Sequence, residues 1–142
     1  MVLGKANHDA QHKVSRANER LWSMALNLLN EFYPDDDFKC TSLAVTKNFV
    51  GSPHLDLKDT TYQFALSVGT LDSDSGGEVC IESEDGSQIS VVATLNKIVK
   101  VDGRYVHWVR SYDEEKERYS LIYFCVDPTS RTEKGAWVYH DM

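Results

Sequence analysis

Between about residues 10 and 33 the apolar side chains fall at Leu21, Trp22, Ala25, Leu28, Leu29 and Phe32, with polar residues between them. That three-and-four spacing predicts a helix with one buried stripe, ended by Pro34 and the aspartates Asp35, Asp36 and Asp37. Beyond it the texture changes to short β-branched and aromatic runs separated by Gly, Asp, Asn and Ser. Runs over about 40–49, 61–70, 78–83, 88–94, 97–101, 105–110 and 118–126, and a last one near 136–140, predict strands. Turn chemistry lies between them at Asp72 to Gly77, Glu84 to Gly86, Asp102-Gly103 and Asp113 to Glu117. No internal repeat is visible. The expected fold is mainly β with an N-terminal helix, the helix packed on a small jelly-roll-like antiparallel sandwich.

Composition narrows the class. A chain of 142 residues has the size of one domain, here expected to span 1–142, and buries roughly 70% of its unfolded surface. With 42% hydrophobic and 26% charged residues, a wholly disordered chain is excluded. No stretch approaches the ~20 apolar residues of a membrane-spanning helix, and the N-terminal MVLGKANHDAQHK lacks the apolar core of a signal peptide. The expectation is an intracellular protein, cytoplasmic or nuclear, with no membrane partner. Cys40, Cys80 and Cys125 are odd in number and far apart, so reduced thiols are expected rather than a disulfide framework or zinc knuckle. A net charge of −7 disfavours broad attachment to a polyanion, although Lys5, Lys13, Arg16 and Arg20 concentrate positive charge ahead of the first acidic cluster. A solvated helix face is the simpler account of those cations.

The five histidines are His8, His12, His54, His107 and His140. His54 opens His54-Leu55-Asp56, and in an extended segment residues i and i+2 point the same way, so an imidazole and a carboxylate can converge on one ion. A second imidazole would complete the two-His-one-carboxylate set that leaves three positions open on ferrous iron. His107, in Tyr105-Val106-His107-Trp108-Val109, supplies it from a predicted strand. Alone, His-x-Asp is a weak signal. Eleven residues after His107, however, Arg118 and Ser120 form another i, i+2 pair, offering a planar fork of donors and a hydroxyl to a carboxylate anion. An Arg held by a surface acid and a Ser on an edge strand is the ordinary alternative for that pair.

This order of His-x-Asp, a distal His 53 positions on and Arg-x-Ser shortly after resembles the Fe(II)/2-oxoglutarate-dependent dioxygenase superfamily. Gly76-Gly77-Glu78-Val79 is similar to the family's turn and strand between the two metal-ligand segments, and the likeness extends over about residues 40 to 126. The resemblance implies a double-stranded β-helix (cupin-like jelly roll) with Fe(II) held by His54, Asp56 and His107. It implies 2-oxoglutarate held by Arg118 and Ser120, and use of O2 to hydroxylate a C–H bond with release of succinate and CO2. Asn48, on the strand entering the metal motif, is either a further cosubstrate contact or a turn residue.

Within the superfamily, Tyr62 to Gly69 and Val101 to Val109 look closest to TET/JBP-like domains, which implies oxidation of 5-methylcytosine in DNA. Tyr62, Tyr105, Trp108 and Tyr123 are then candidates to stack on a base, and Arg104 and Arg110 to meet phosphate. Core packing and ion pairing are the simpler readings of those six. Two other functions fit the same motifs: a prolyl-hydroxylase-like protein oxygenase, or a non-catalytic cupin-like module that holds a metal. The acidic charge and short chain leave the substrate open. The sequence says nothing of oligomeric state.

Overall fold

The computed structural model describes residues 1–4, 16–134 and 139–140. His8, His12, Lys5, Lys13 and the predicted first turns of the helix lie outside the described residues. In chain order the elements are β1 Val2–Gly4, α1 Arg16–Phe32, β2 Ser42–Lys47, β3 Gln63–Gly69, β4 Val79–Glu82, β5 Ile89–Val92, β6 Val99–Val101, β7 His107–Val109, β8 Arg118–Phe124, a short 3-10 turn at Pro128–Ser130, and β9 Tyr139–His140. The strands form a sheet in the order β1-β2-β8-β3-β6-β9 and a second in the order β5-β4-β7, with antiparallel pairing throughout both ladders. Among the described residues the chain is thus mainly β with one α-helix, as the alternation of the sequence predicts. The short β1 lies outside every predicted run.

The larger sheet is covered on both faces, which explains why β3 is buried from Gln63 to Ser67 rather than alternating. On one face Leu43, Phe64, Leu66 and Tyr123 pack against Ala25 and Leu29 of α1. Tyr123 is fixed there by its hydroxyl, which donates to the Ala25 carbonyl at 2.9 Å. On the other face Ala65, Val99, Val101 and Ile122 meet Val79, Ile81 and Val92 of the smaller sheet. The register sets the two faces: Phe64 pairs with Tyr123 and Ala65 with Ile122, so each pair shares one face.

One position of the predicted helix stripe is corrected. Phe32 is 61% exposed. At this last helical position the chain turns toward Pro34, and Tyr33 reaches the sheet in its place. The Tyr33 ring lies 4.5 Å from that of Phe64, and its hydroxyl donates to the Ile98 carbonyl at 2.8 Å. The cysteines carry no disulfide. No helix among the described residues is long and apolar enough to cross a membrane.

Candidate metal centre

His54 and His107 face each other as an isolated antiparallel bridge. The His54 N–H donates to the His107 carbonyl at 3.1 Å, and the His107 N–H to the His54 carbonyl at 3.0 Å. This mutual pairing sets the two imidazoles side by side, with ring centroids 4.4 Å apart. Two residues on, the Asp56 N–H donates to the Gly103 carbonyl at 2.9 Å, which keeps the segment extended and brings the carboxylate to the imidazole side.

The ligand atoms converge. Asp56 Oδ1 lies 3.6 Å from His54 Nε2, and Asp56 Oδ2 lies 3.4 Å from His107 Nε2. One ligand atom from each of the three residues fits within 4.8 Å of the others. Ligands about 2.1 Å from one ion and at right angles stand about 3 Å apart, so both Asp56–His pairs, at 3.6 and 3.4 Å, are close to the spacing a shared ion would need.

The hydrogen bonds behind the triad suit that role. Nδ1 of His54 is 2.8 Å from the Ser52 carbonyl, and Nδ1 of His107 is 2.9 Å from the Tyr105 carbonyl. A carbonyl only accepts, so each Nδ1 carries a proton, and in a neutral ring each Nε2 keeps its lone pair for an ion. Gln63 Nε2 donates to Asp56 Oδ2 at 3.0 Å and steadies the carboxylate. Gly103 makes room for this bond. A Cβ there would lie 1.9 Å from Gln63 Nε2 and 2.5 Å from Asp56 Oδ2. Burial pushes the Asp56 carboxyl up, but the His107 hydrogen bond and charge, the Gln63 amide and the His54 charge outweigh it and leave it below the usual carboxylate range. Burial lowers His107 in the same way, and the hydrogen bond to Asp56, the Tyr105 carbonyl and the charges of Asp56 and Asp59 carry it above its ordinary value.

Arg118 lines the same cavity, of about 440 Å³. It is 2% exposed, donates to the Gly77 carbonyl at 3.1 Å, and leaves Nε without a partner. Among the described residues no carboxylate pairs with it. Burial accordingly draws its pKa below the ordinary arginine value, against a small opposing contribution from Tyr112. A buried cation of this kind asks for an anion. Gly77, with φ +87°, sits against the guanidinium, since a Cβ there would lie 3.2 Å from Arg118 Nε. The Gly76-Gly77 turn therefore positions the arginine through a backbone carbonyl. Ser120, on the same face of β8, is buried and shares a short hydrogen bond with Thr46.

No protein-family model and no curated protein matches the chain. A solved structure is similar to it: an oxidoreductase of the 2OG-Fe(II) oxygenase family from Burkholderia pseudomallei, at a TM-score of 0.51 and 22% identity, over 72% of this chain. The two share a fold. The match spans 54% of that protein, about half its length.

The remaining candidates divide. Asn48 is not among the cavity-lining residues: it has φ +51°, its N–H donates to the Arg118 carbonyl at 2.7 Å, and its side-chain oxygen accepts from the Arg118 N–H at 2.8 Å. These two bonds close β2 against β8, an arrangement that fits the turn alternative. Arg104 is bound by Asp102 at 2.7 Å and by the Thr132 carbonyl at 2.5 Å, while Arg110 lies 3.6 Å from Glu78. Tyr105 and Tyr123 are core residues, and Tyr62 stacks on Phe38 while donating to Asp36 at 2.5 Å. Of the four proposed stacking aromatics, Trp108 lines the cavity. The side chain of His140 lies outside the described residues.

Sequence reasoning missed Gln63, Gly103, Phe49 and Asp59. Asp59 lines the cavity, is buried, and has one oxygen without a partner. Burial and the neighbouring charges of Asp56 and Asp102 push its carboxyl up to about 7, against His107 and Arg104. Gln63 could have been noticed as the polar residue opening an otherwise apolar strand. Nothing local marked the other three.

Proposed function

We propose that this chain is an Fe(II)- and 2-oxoglutarate-dependent dioxygenase whose β core, with its helix, forms one double-stranded β-helix domain and hydroxylates a C–H bond. The observation that carries the reading is one cavity lined both by a two-His-one-carboxylate cluster and by a buried guanidinium that no carboxylate among the described residues pairs with. The shared fold with an oxygenase-family oxidoreductase supports it.

In this reading His54, Asp56 and His107 hold iron through the two Nε2 atoms and the carboxylate. The iron and 2-oxoglutarate together supply O2 activation, yielding succinate and CO2 as the substrate is hydroxylated. Arg118 binds the far carboxylate of the cosubstrate and Ser120 adds a hydroxyl contact, so the cosubstrate is fixed at both ends. Gln63 and the Ser52 and Tyr105 carbonyls keep the ligands from rotating. The apolar walls formed by Ala65, Val79, Val101 and Ile122 exclude water. A module that merely held a metal would give the buried Arg118 no task. For 5-methylcytosine DNA no observation speaks in particular: Arg104 and Arg110, the cations flanking His107, are both engaged by acids.

The test is anaerobic titration with Fe(II) and 2-oxoglutarate. One equivalent of each should produce the weak visible charge-transfer band of the chelate, and His54→Ala or Asp56→Ala should abolish it. Full intensity in both variants would remove the metal assignment.

A further inference from the structure

Much of the polar lining of the cavity is paired within the protein or assigned to the cosubstrate. Thr94 and Ser67 share a hydrogen bond at 2.7 Å, Gln63 donates to Asp56, and Ser120, hydrogen-bonded to Thr46, belongs with Arg118 to the anion site already described. Beyond these, Asp59, Lys58 and the indole N–H of Trp108 are the polar groups that remain in the lining. The mouth is apolar instead. Phe49, Leu55 and Leu57 line the cavity yet are 49%, 43% and 87% exposed, and Val50 beside Phe49 is also open to solvent. Phe49 stands at the metal cluster: a Cβ on Gly51 would lie 2.6 Å from its ring and 3.7 Å from His54 Cε1.

From this we infer that the oxidised substrate is an uncharged, predominantly apolar small molecule, gripped by Phe49, Leu55 and Leu57 at the mouth. The inference rests on the oxygenase reading and names its substrate class. A base edge or a sugar would bury donors and acceptors that find few partners, and such groups are costly to leave unpaired. With Arg118 given to the cosubstrate, phosphates would meet Lys58 as the remaining lysine or arginine of the lining, in a protein of net charge −7. Apolar ligands meet a mouth lining that releases water from carbon on both sides, and a cavity of about 440 Å³ shared with iron and cosubstrate leaves the remaining space for a small molecule, not a large one. The exposed leucines then have a partner to cover them.

The neutral fluorescent probe N-phenyl-1-naphthylamine tests this on the whole chain, with Mn(II) and 2-oxoglutarate present so that no turnover occurs. Saturable, blue-shifted emission is expected, insensitive to salt and weakened about tenfold in Phe49→Ser and in Leu57→Ser. Circular dichroism of both variants and their retained Mn(II) binding separate a lost contact from a lost fold. With Fe(II) and O2, succinate release should rise with neutral apolar compounds and not with methylated oligonucleotides or peptides. Absent probe binding, equal binding by both serine variants, or stimulation confined to an oligonucleotide or a peptide would overturn the inference. If the charge-transfer band also fails, the oxygenase reading fails with it. A normal band without probe binding rejects the apolar substrate alone.

Discussion

Replacing Arg118 by methionine should make the protein more stable and unable to bind its cosubstrate, and the two effects can be sized separately. Arg118 is 2% exposed, its Nε has no partner, and no acid pairs with it among the described residues. Exchanging a buried ionic group for an apolar one of similar volume gains about 1–4 kcal/mol. The substitution also strips the Gly77 carbonyl of the donor it holds at 3.1 Å, at a cost of about 1–3 kcal/mol. A net gain of about 1 kcal/mol remains, or about 3 °C in melting temperature for a domain of this size. Cosubstrate reverses the ranking. Loss of a buried charge-assisted contact costs about 2–4 kcal/mol, a roughly 30- to 1000-fold weaker affinity for 2-oxoglutarate. At 100 times the wild-type dissociation constant, 2-oxoglutarate stabilises the wild type by about 2.7 kcal/mol and the variant by less than about 0.9 kcal/mol. Urea and thermal melts of both proteins, with Mn(II) and with or without 2-oxoglutarate, would show the crossing. A variant less stable than wild type by more than about 1 kcal/mol without cosubstrate would mean that the guanidinium is already satisfied, and unchanged affinity would remove Arg118 from the cosubstrate site.

Two other outcomes follow from contacts at or away from the cavity. Gly103→Ala should fold but bind Mn(II) about 10–100-fold more weakly, because the added Cβ, 2.5 Å from Asp56 Oδ2, displaces the Gln63–Asp56 hydrogen bond; an isothermal titration indistinguishable from wild type would refute this. Asp36 is partly desolvated, which raises its pKa, yet Lys100 at 2.7 Å, the Tyr62 hydroxyl at 2.5 Å and the Phe38 N–H at 2.9 Å outweigh burial and hold it below its ordinary 3.8. A depressed carboxyl contributes stability that is fully present above its unfolded pKa and disappears as pH falls through the lower folded value. Asp36→Asn should therefore cost about 2 kcal/mol at pH 7 and progressively less below about pH 4, measured by urea melts across that range; a penalty independent of pH would show that packing, not charge, holds the site.

The candidate site was legible where chemistry follows from local spacing. His54 and Asp56 face one way because an extended segment repeats every two residues, and Arg118 and Ser120 do so for the same reason on β8. That His107 should join them required a long-range pairing, the bridge between residues 54 and 107, which no local pattern encodes. The order of motifs supplied what periodicity could not. Asn48 shows where position alone does not discriminate. Its place ahead of the metal motif fits a ligand contact and a turn equally well, and what bears on the choice, a left-handed backbone and two hydrogen bonds to the Arg118 main chain, depends on the long-range pairing of β2 with β8.

The supporting residues were hidden for a further physical reason. Gly103 reads as half of an Asp-Gly turn, yet its lack of a side chain matters because Gln63 and Asp56 pass through the space a Cβ would fill, a fact of three segments at once. Gly77 likewise reads as turn chemistry and serves as the acceptor that aims Arg118. A sequence shows which groups can react. What makes them a site is the set of neutral carbonyls, amides and absent side chains that hold each reactive group in one orientation, and those acquire their meaning when distant strands meet. Substitutions at Gly103 and Gly77 should consequently damage binding while sparing the metal-ligand and arginine side chains themselves, a separation that substitutions at His54 or Arg118 cannot give.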